Sequence, residues 1–250
     1  MCVLALAWRA SPQWRLVVAG NRDEFHDRAA LPLARWEDAL RVIGGRDVLG
    51  GGTWLGVAEG GRFAVVTNVR AGPPDRHKLS RGALVSDMLR RGSAAIVSAL
   101  PEAYNPFNLI AIDGDQVNFM TNRPEGLVRP LGPGMHGLSN GVMDKPWPKT
   151  KKLERAVAEW IERGTGERET LFAALADEEP PRGMTGYGGD RDEPEGSPIF
   201  IRNPRYGTRC STVVTVDAEG HGVIAERRFD AKGNAVGDSE VEFLWPEVAP

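Results

Sequence analysis

Cys2-Val-Leu-Ala-Leu-Ala-Trp8 and Trp14-Arg-Leu-Val-Val-Ala-Gly20 are two apolar, β-type runs separated by Arg9-Ala-Ser-Pro-Gln13. A short linker carrying Pro and Ser between two such runs reads as a hairpin, so the chain starts inside an antiparallel sheet. The apolar pattern breaks at Asn21-Arg-Asp-Glu24, and the charged stretch through Arg28 is expected to be a loop leaving the strand end. Polar residues at strand ends are where sites are often built.

Working outward, Gly50-Gly-Gly-Thr-Trp-Leu-Gly56 leads into a strand over 53–58, a Gly60-Gly61 turn and a strand over 62–70, a second hairpin. Ser80 has N-cap chemistry, Leu84, Val85, Met88 and Leu89 share one helical face, and Gly92 closes that helix. Segments 107–112 and 116–121, hinged on Asp113-Gly-Asp115, read as a third hairpin, with two short strands more within 126–140. Leu153, Ala156, Val157, Trp160 and Ile161 recur at helical spacing before Gly164, and 167–176 reads as a further helix. Segment 177–197 is acidic and rich in Gly and Pro, which predicts a flexible excursion. Strands resume over 209–216, 223–229 and 241–245. Strands, then a helical block, then strands again predict an α+β fold of sheets with helices packed outside, not alternating βαβ units.

The 250 residues, 41% hydrophobic and 26% charged, suit one globular domain spanning 1–250. A net charge of -3 offers no broad positive field, so nucleic acid is not an expected partner. No stretch approaches the ~20 apolar residues a membrane span needs, and Arg9 ends the first apolar run too early for a secretory signal. Only two cysteines, Cys2 and Cys210, and no Asn-x-Ser/Thr acceptor point to a reducing, cytoplasmic setting.

The glycine cluster at 50–56 matches neither dinucleotide nor P-loop spacing and opens a strand, so it is not a phosphate cradle. His26, His77, His136 and His221 are scattered, without metal-ligand spacing, and no metal is expected. Cys2 stands apart by position. Removal of Met1 by an aminopeptidase would leave a thiol and a free α-amine on one residue, the amine with an ordinary pKa of about 7.7–8.0, able to act as nucleophile and base together. The alternative is a small hydrophobe in a buried strand.

The ordered series Met1-Cys2, Ala19-Gly-Asn-Arg-Asp-Glu-Phe25, Gly51-Gly-Thr-Trp-Leu-Gly56, Val66-Thr-Asn-Val-Arg70, Ser80-Arg-Gly82, Tyr104-Asn-Pro-Phe-Asn108, Gly137-Leu-Ser-Asn140, Pro146-Trp-Pro-Lys149, Ser197-Pro-Ile-Phe200 and Tyr206-Gly-Thr-Arg209 resembles the NRDE family, homologues of the transport and Golgi organisation 2 protein. The resemblance implies an Ntn-hydrolase-like αββα four-layer sandwich, two antiparallel sheets between helices, with the first residue of the mature chain at its centre. By similarity to cysteine acylases of that fold, Cys2, Arg22, Asp23, Asn140 and Arg209 are the candidate catalytic residues. Asp23 would hold the Cys2 α-amine, Arg22 or Arg209 would favour the thiolate, and Asn140 would serve the oxyanion. Asn21, Trp54 and Asn68 are candidates for substrate binding. Arg22 and Asp23 are adjacent, so on a regular strand they face opposite sides, and one of them lies outside the site unless the strand ends there. By the same alternation, Arg209 in the pocket would turn Cys210 away and disfavour a Cys2–Cys210 disulfide.

Two functions follow. The first is hydrolysis of an amide in a small, partly apolar substrate. The second, also implied by the resemblance, is a non-catalytic carrier of a hydrophobic ligand such as haem or an acyl-lipid. Cys2, the histidines or Met135 would supply haem ligands, and the lack of C-x-x-C-H would make any haem reversible. No tightly held cofactor is expected.

Overall fold

The structure is a computed structural model that describes residues 2–69, 72–180 and 196–246. β1 (Cys2–Trp8) and β2 (Trp14–Phe25) form the opening hairpin, with Leu4 opposite Gly20 and Trp8 opposite Leu16. β2 corrects the sequence reading, because it continues through Asn21-Arg-Asp-Glu24 instead of ending at Gly20. These polar residues stay in the strand because β1 flanks it on one side and β11 (Tyr206–Asp217) on the other, and two ladders hold its backbone.

The other strands are β3 (Ala30–Trp36), β4 (Ala39–Asp47), β5 (Leu55–Ala58), β6 (Arg62–Asn68), β7 (Phe107–Asp113), β8 (Gln116–Thr121), β9 (Leu127–Pro130), β10 (Gly134–Leu138), β12 (His221–Phe229) and β13 (Ala235–Leu244). They assemble as a six-stranded sheet, β10-β1-β2-β11-β12-β13, and a seven-stranded sheet, β3-β4-β5-β6-β7-β8-β9, and all ladders in both are antiparallel. β3 and β4 have no counterpart in the sequence reading. β3 is an edge strand that contains Pro32 and a register break between Leu31 and Ala34, so it lacks clean alternation.

Strand alternation sorts the layers. Leu4, Leu6, Trp8, Leu16 and Val18 face the second sheet and pack with Ile43, Val57, Phe63, Val65 and Ile110. Val3, Ala5, Ala7, Val17 and Ala19 face outward beneath α3 (Pro148–Arg163) and α4 (Arg168–Leu175), meeting Leu153, Val157, Trp160 and Leu171. On the far side α1 (Arg81–Arg91) and α2 (Ala94–Ser98) cover the second sheet, with Leu84, Val85, Met88 and Leu89 against Val42, Ala64 and Leu109. The four-layer αββα order is the expected one. α3 ends where the periodicity said it would, at Gly164 with φ 64° in the left-handed region. Ser80 does occupy the N-cap of α1, but its hydroxyl makes no capping hydrogen bond.

Most of the acidic excursion, residues 181–195, lies outside the described residues. Its two ends are tied down: Asp177 pairs with Lys152 at 2.5 Å, its carbonyl accepts from the Phe200 amide at 2.8 Å, and Ser197 is buried. Among the described residues no helix is long and apolar enough to cross a membrane.

Candidate active site

β1 begins at Cys2, which stands opposite Arg22 on β2, and Arg22 stands opposite Cys210 on β11. Cross-strand partners share a face, so these three form a row on the inner face of the first sheet. The β1–β10 register sets Leu4 opposite Leu138. Asn140 follows two residues after β10 ends and is not among the residues that line the cleft. The Asn140 Nδ2 donates to the Asn68 carbonyl at 2.8 Å, pinning it to the end of β6, and its Oδ1 is buried with no hydrogen-bond partner among the described residues.

An open cleft of about 660 Å³ separates the sheet ends here. Cys2, Arg22 and Asp23 line it from the first sheet, Asp47, Trp54 and Asn68 from the second, and Ser80, Arg81 and Gly82 from the start of α1. Arg22 is held rigidly. Its guanidinium lies 4.5 Å from the Trp54 ring centroid and donates to Asp47 Oδ2 at 3.0 Å. Asp47 in turn accepts two bonds from Arg28 (2.6 and 3.1 Å) and one from the Gly50 amide (2.6 Å). Burial would raise the Asp47 carboxyl, but Arg28, the Gly50 amide and Arg22 outweigh it and hold it below the usual carboxylate range.

Asp23 faces the other way, toward the helix layer, where it is 1% exposed. Thr208, its cross-strand neighbour on β11, donates to Oδ1 at 2.6 Å, and the Tyr206 hydroxyl donates to its carbonyl at 2.9 Å. Lys149, in the first turn of α3, is equally buried on this side. Burial pushes the Asp23 carboxyl up, and the charges of Lys149 and Arg22 with the Thr208 hydrogen bond work against it. Burial brings Lys149 down to about 8 while Asp23 and Cys2 favour its charged form. The Cys2 thiol is raised, chiefly by burial and further by Asp23. Arg22 and a hydrogen bond from the Asp23 backbone offset part of that rise. Adjacent residues facing opposite sides thus both reach the end of β1, Arg22 beside the thiol and Asp23 beside the point where the backbone leaves the strand.

The remaining sequence-derived candidates divide. Trp54 and Asn68 line the cleft. Asn21 does not: its amide donates to the Leu175 and Ile199 carbonyls at 2.8 and 3.0 Å and its Oδ1 accepts from Ser211 at 2.7 Å, which ties α4 and the 199–201 segment to the sheet. Arg209 does not line it either, since its guanidinium donates to the Phe25 and His26 carbonyls at 3.0 and 2.8 Å. The alternation expected between Arg209 and Cys210 is corrected by a bulge between Thr208 and Cys210, which puts Cys210 on the same face as Cys2. Both thiols are nonetheless free. They sit two strands apart, about 10 Å, beyond disulfide reach, and burial beside Glu226 raises the Cys210 thiol well above its ordinary value. Neither Met135 nor any of the four histidines lines the cleft, and no cluster of three metal-ligating side chains occurs among the described residues.

Sequence reasoning missed Lys149, Asp47, Arg28 and Thr208. Lys149 stood in the Pro146-Trp-Pro-Lys149 signature, but a lysine announces burial only through the helix that carries it.

A family profile described as transport and Golgi organisation 2 matches residues 1–231. The transport and Golgi organization protein 2 homolog of Bos taurus is 34% identical over 258 residues, covering 91% of this chain and 92% of its own. The Homo sapiens homolog is 32% identical with the same shares, and the Drosophila melanogaster protein 28%, covering 88% and 89%. Among solved structures, the Caenorhabditis elegans ortholog of N-acylethanolamine-hydrolyzing acid amidase superposes with TM-score 0.53 at 12% identity, covering 85% of this chain and 92% of that one. A variant of conjugated bile acid hydrolase from Clostridium perfringens gives 0.50 at 9%, covering 99% and 98%. At these identities the likeness is one of fold, that of the N-terminal-nucleophile hydrolases.

Proposed function

Since the chain belongs to the transport and Golgi organisation 2 family, we propose that it is an N-terminal-nucleophile amidohydrolase in which Cys2, freed by removal of Met1, opens an amide of a small, partly apolar substrate. One observation carries this reading: a cleft-lining thiol at the first position of β1 stands in register with Arg22 and within electrostatic reach of the buried Asp23. The names of the two structural neighbours describe hydrolysis of N-acylethanolamines and of conjugated bile acids, which supports an amide substrate by analogy.

In the proposed sequence the Cys2 α-amine takes the thiol proton, with Asp23 holding the resulting ammonium and Arg22 favouring the thiolate. Sulfur attacks the carbonyl carbon. Asn140 spends one Nδ2 hydrogen on the Asn68 carbonyl, and an amide carries two, so the second remains for the oxyanion. The C–N bond breaks as the ammonium returns its proton to the leaving amine, leaving a thioester. Water, deprotonated by the same amine, then releases the acid and the thiol. The apolar part of the substrate would meet Trp54, Leu49 and Leu79, and its polar part the charged walls. A reducing, cytoplasmic setting suits such a thiol.

Haem carriage draws less support, because among the described residues Cys2 is the only one of the ligand types that could serve it that lines the cleft. The decisive experiment is an intact mass of untagged protein followed by product release from an amide panel, wild type against Cys2→Ala. Met1 retained on essentially all molecules, or full turnover by Cys2→Ala, removes the mechanism.

A further inference from the structure

The proposed steps give the buried Lys149 no task. Lys149 is 1% exposed in the first turn of α3, on the side of the first sheet to which Asp23, also 1% exposed, is turned. A carboxylate taken out of water needs a counter-charge. The row on the inner face cannot supply it well, because Arg22 already spends itself on Asp47 across the cleft.

We propose that Lys149 is a positioning residue that holds Asp23 as a carboxylate on the helix side of β2 and limits how firmly that carboxylate can lock the Cys2 α-amine in its protonated form. This deepens the hydrolase reading and rests on it. The groups that face the pair are few. Lys149 meets the charges of Asp23 and Cys2, and Asp23 meets Lys149, the Thr208 hydroxyl from β11 and Arg22. Farther along α3, Glu154 lies over Gly137 of β10 and Lys152 is committed to Asp177.

The consequence for the base is a matter of sign. Asp23 alone would stabilise ammonium over amine and leave the α-amine protonated near neutrality, where it is useless for accepting the thiol proton. A second cation on the same carboxylate opposes this. It also favours the Cys2 thiolate, so both effects pull the thiol's activation toward lower pH. With its pKa brought down to about 8, Lys149 supplies this cation below about pH 8 and withdraws it above.

The test uses the full chain expressed behind a removable leader whose cleavage leaves Cys2 first, so the outcome does not depend on Met1 processing. The readout is the iodoacetamide alkylation rate of Cys2 against pH, with Cys2→Ala as background. Below about pH 8, where Lys149 carries its proton, Lys149→Met is expected to displace the rising limb upward by about one pH unit, about tenfold slower alkylation at a given pH. Lys149→Arg keeps the charge and is expected to return the limb toward wild type. A Lys149→Met limb that coincides with wild type overturns the proposal. If that variant folds poorly, thermal melts decide: Asp23→Asn combined with Lys149→Met leaves no carboxylate buried without its partner and is expected to melt above Lys149→Met alone. A double variant no more stable than the single one overturns the proposal equally. Failure of the Cys2-first protein to cleave any amide would sink the hydrolase reading while leaving the alkylation limb to report on Lys149.

Discussion

Raising the pH from about 8 to about 10.5 is expected to stabilise this protein through Lys149, against the usual alkaline trend. Burial brings that ammonium from the ordinary 10.5 down to about 8, with Asp23 and Cys2 offsetting part of the fall. With the folded value below the unfolded one, the unfolded chain holds more protons between the two, so the free energy of unfolding rises with pH across that window. Below about 8 the folded state carries the full cost of the buried charge. A gap of about 2.5 units at about 1.4 kcal/mol each gives ~3 kcal/mol across the window. For a chain of this length that corresponds to a rise of roughly 6–12 °C in melting temperature. The assay is a set of circular-dichroism melts at closely spaced pH values on wild type and Lys149→Met. The quantity of interest is the difference between the two curves, because subtraction removes the tyrosines, the exposed lysines and the thiols common to both. A difference that is flat or falls between about 8 and about 10.5 refutes the assignment of Lys149 as a buried, charge-bearing lysine.

Asn21→Ala removes a side chain with three buried hydrogen bonds, leaving two carbonyls and a hydroxyl to find other partners; a loss of about 3 kcal/mol is expected from urea unfolding, and a loss under ~1 kcal/mol would mean that water serves those groups equally well. Asp47 is held below the ordinary 3.8, so its contribution is present above that value and lost as pH falls through the folded one; Asp47→Asn is expected to show a shallower acid-side decline than wild type, and parallel declines would count against it. A Cβ at Gly52 would meet the Gly82 carbonyl oxygen at 2.4 Å, whereas Gly51, at φ 70°, has nothing within 4 Å. Gly52→Ala is therefore expected to cost about 1–3 kcal/mol or more by pushing α1 from the cleft, and Gly51→Ala about 1 kcal/mol of backbone strain; melts that rank them the other way would contradict the close approach. Native iodoacetamide labelling followed by peptide mapping is expected to mark Cys2 and spare the buried Cys210, and equal labelling would refute that difference in burial.

What the sequence made legible follows from which signals are local. The opening hairpin, α1, α3 and the strands after 205 could be read because alternation or 3.6-residue periodicity writes the buried face directly into the residue order. β3 and β4 could not, because an edge strand broken by Pro32 and register shifts buries only isolated positions, Leu33 and Trp36 among them. The end of β2 was misjudged for a different reason. Asn21, Arg22 and Asp23 are polar, and polarity in a lone segment signals a loop, but inside a sheet each has a partner from far away in the chain: Ser211, Asp47 and Thr208. Those partners lie 190, 25 and 185 positions distant, so no window along the sequence could have shown them. The same limit explains Arg209. Alternation assumes an unbroken ladder, and one bulge exchanges the faces of every residue beyond it, which turned an arginine chosen for the cleft into a clamp on the Phe25 and His26 carbonyls. Of the residues the motif order pointed to, Cys2 and Arg22 face each other across the β1–β2 ladder with Asp23 at the next position, while Asn140 follows the end of β10 and is tied to Asn68. The Asp23 carboxyl is then shifted by burial and by Lys149, Thr208 and Arg22, and the Cys2 thiol by burial, Asp23 and Arg22, groups drawn from the first sheet and the helix layer. The chemistry available to Cys2 is therefore a property of how the first sheet and the helix layer meet at the end of β1, and the alkaline stability curve of Lys149 tests that meeting without any knowledge of the substrate.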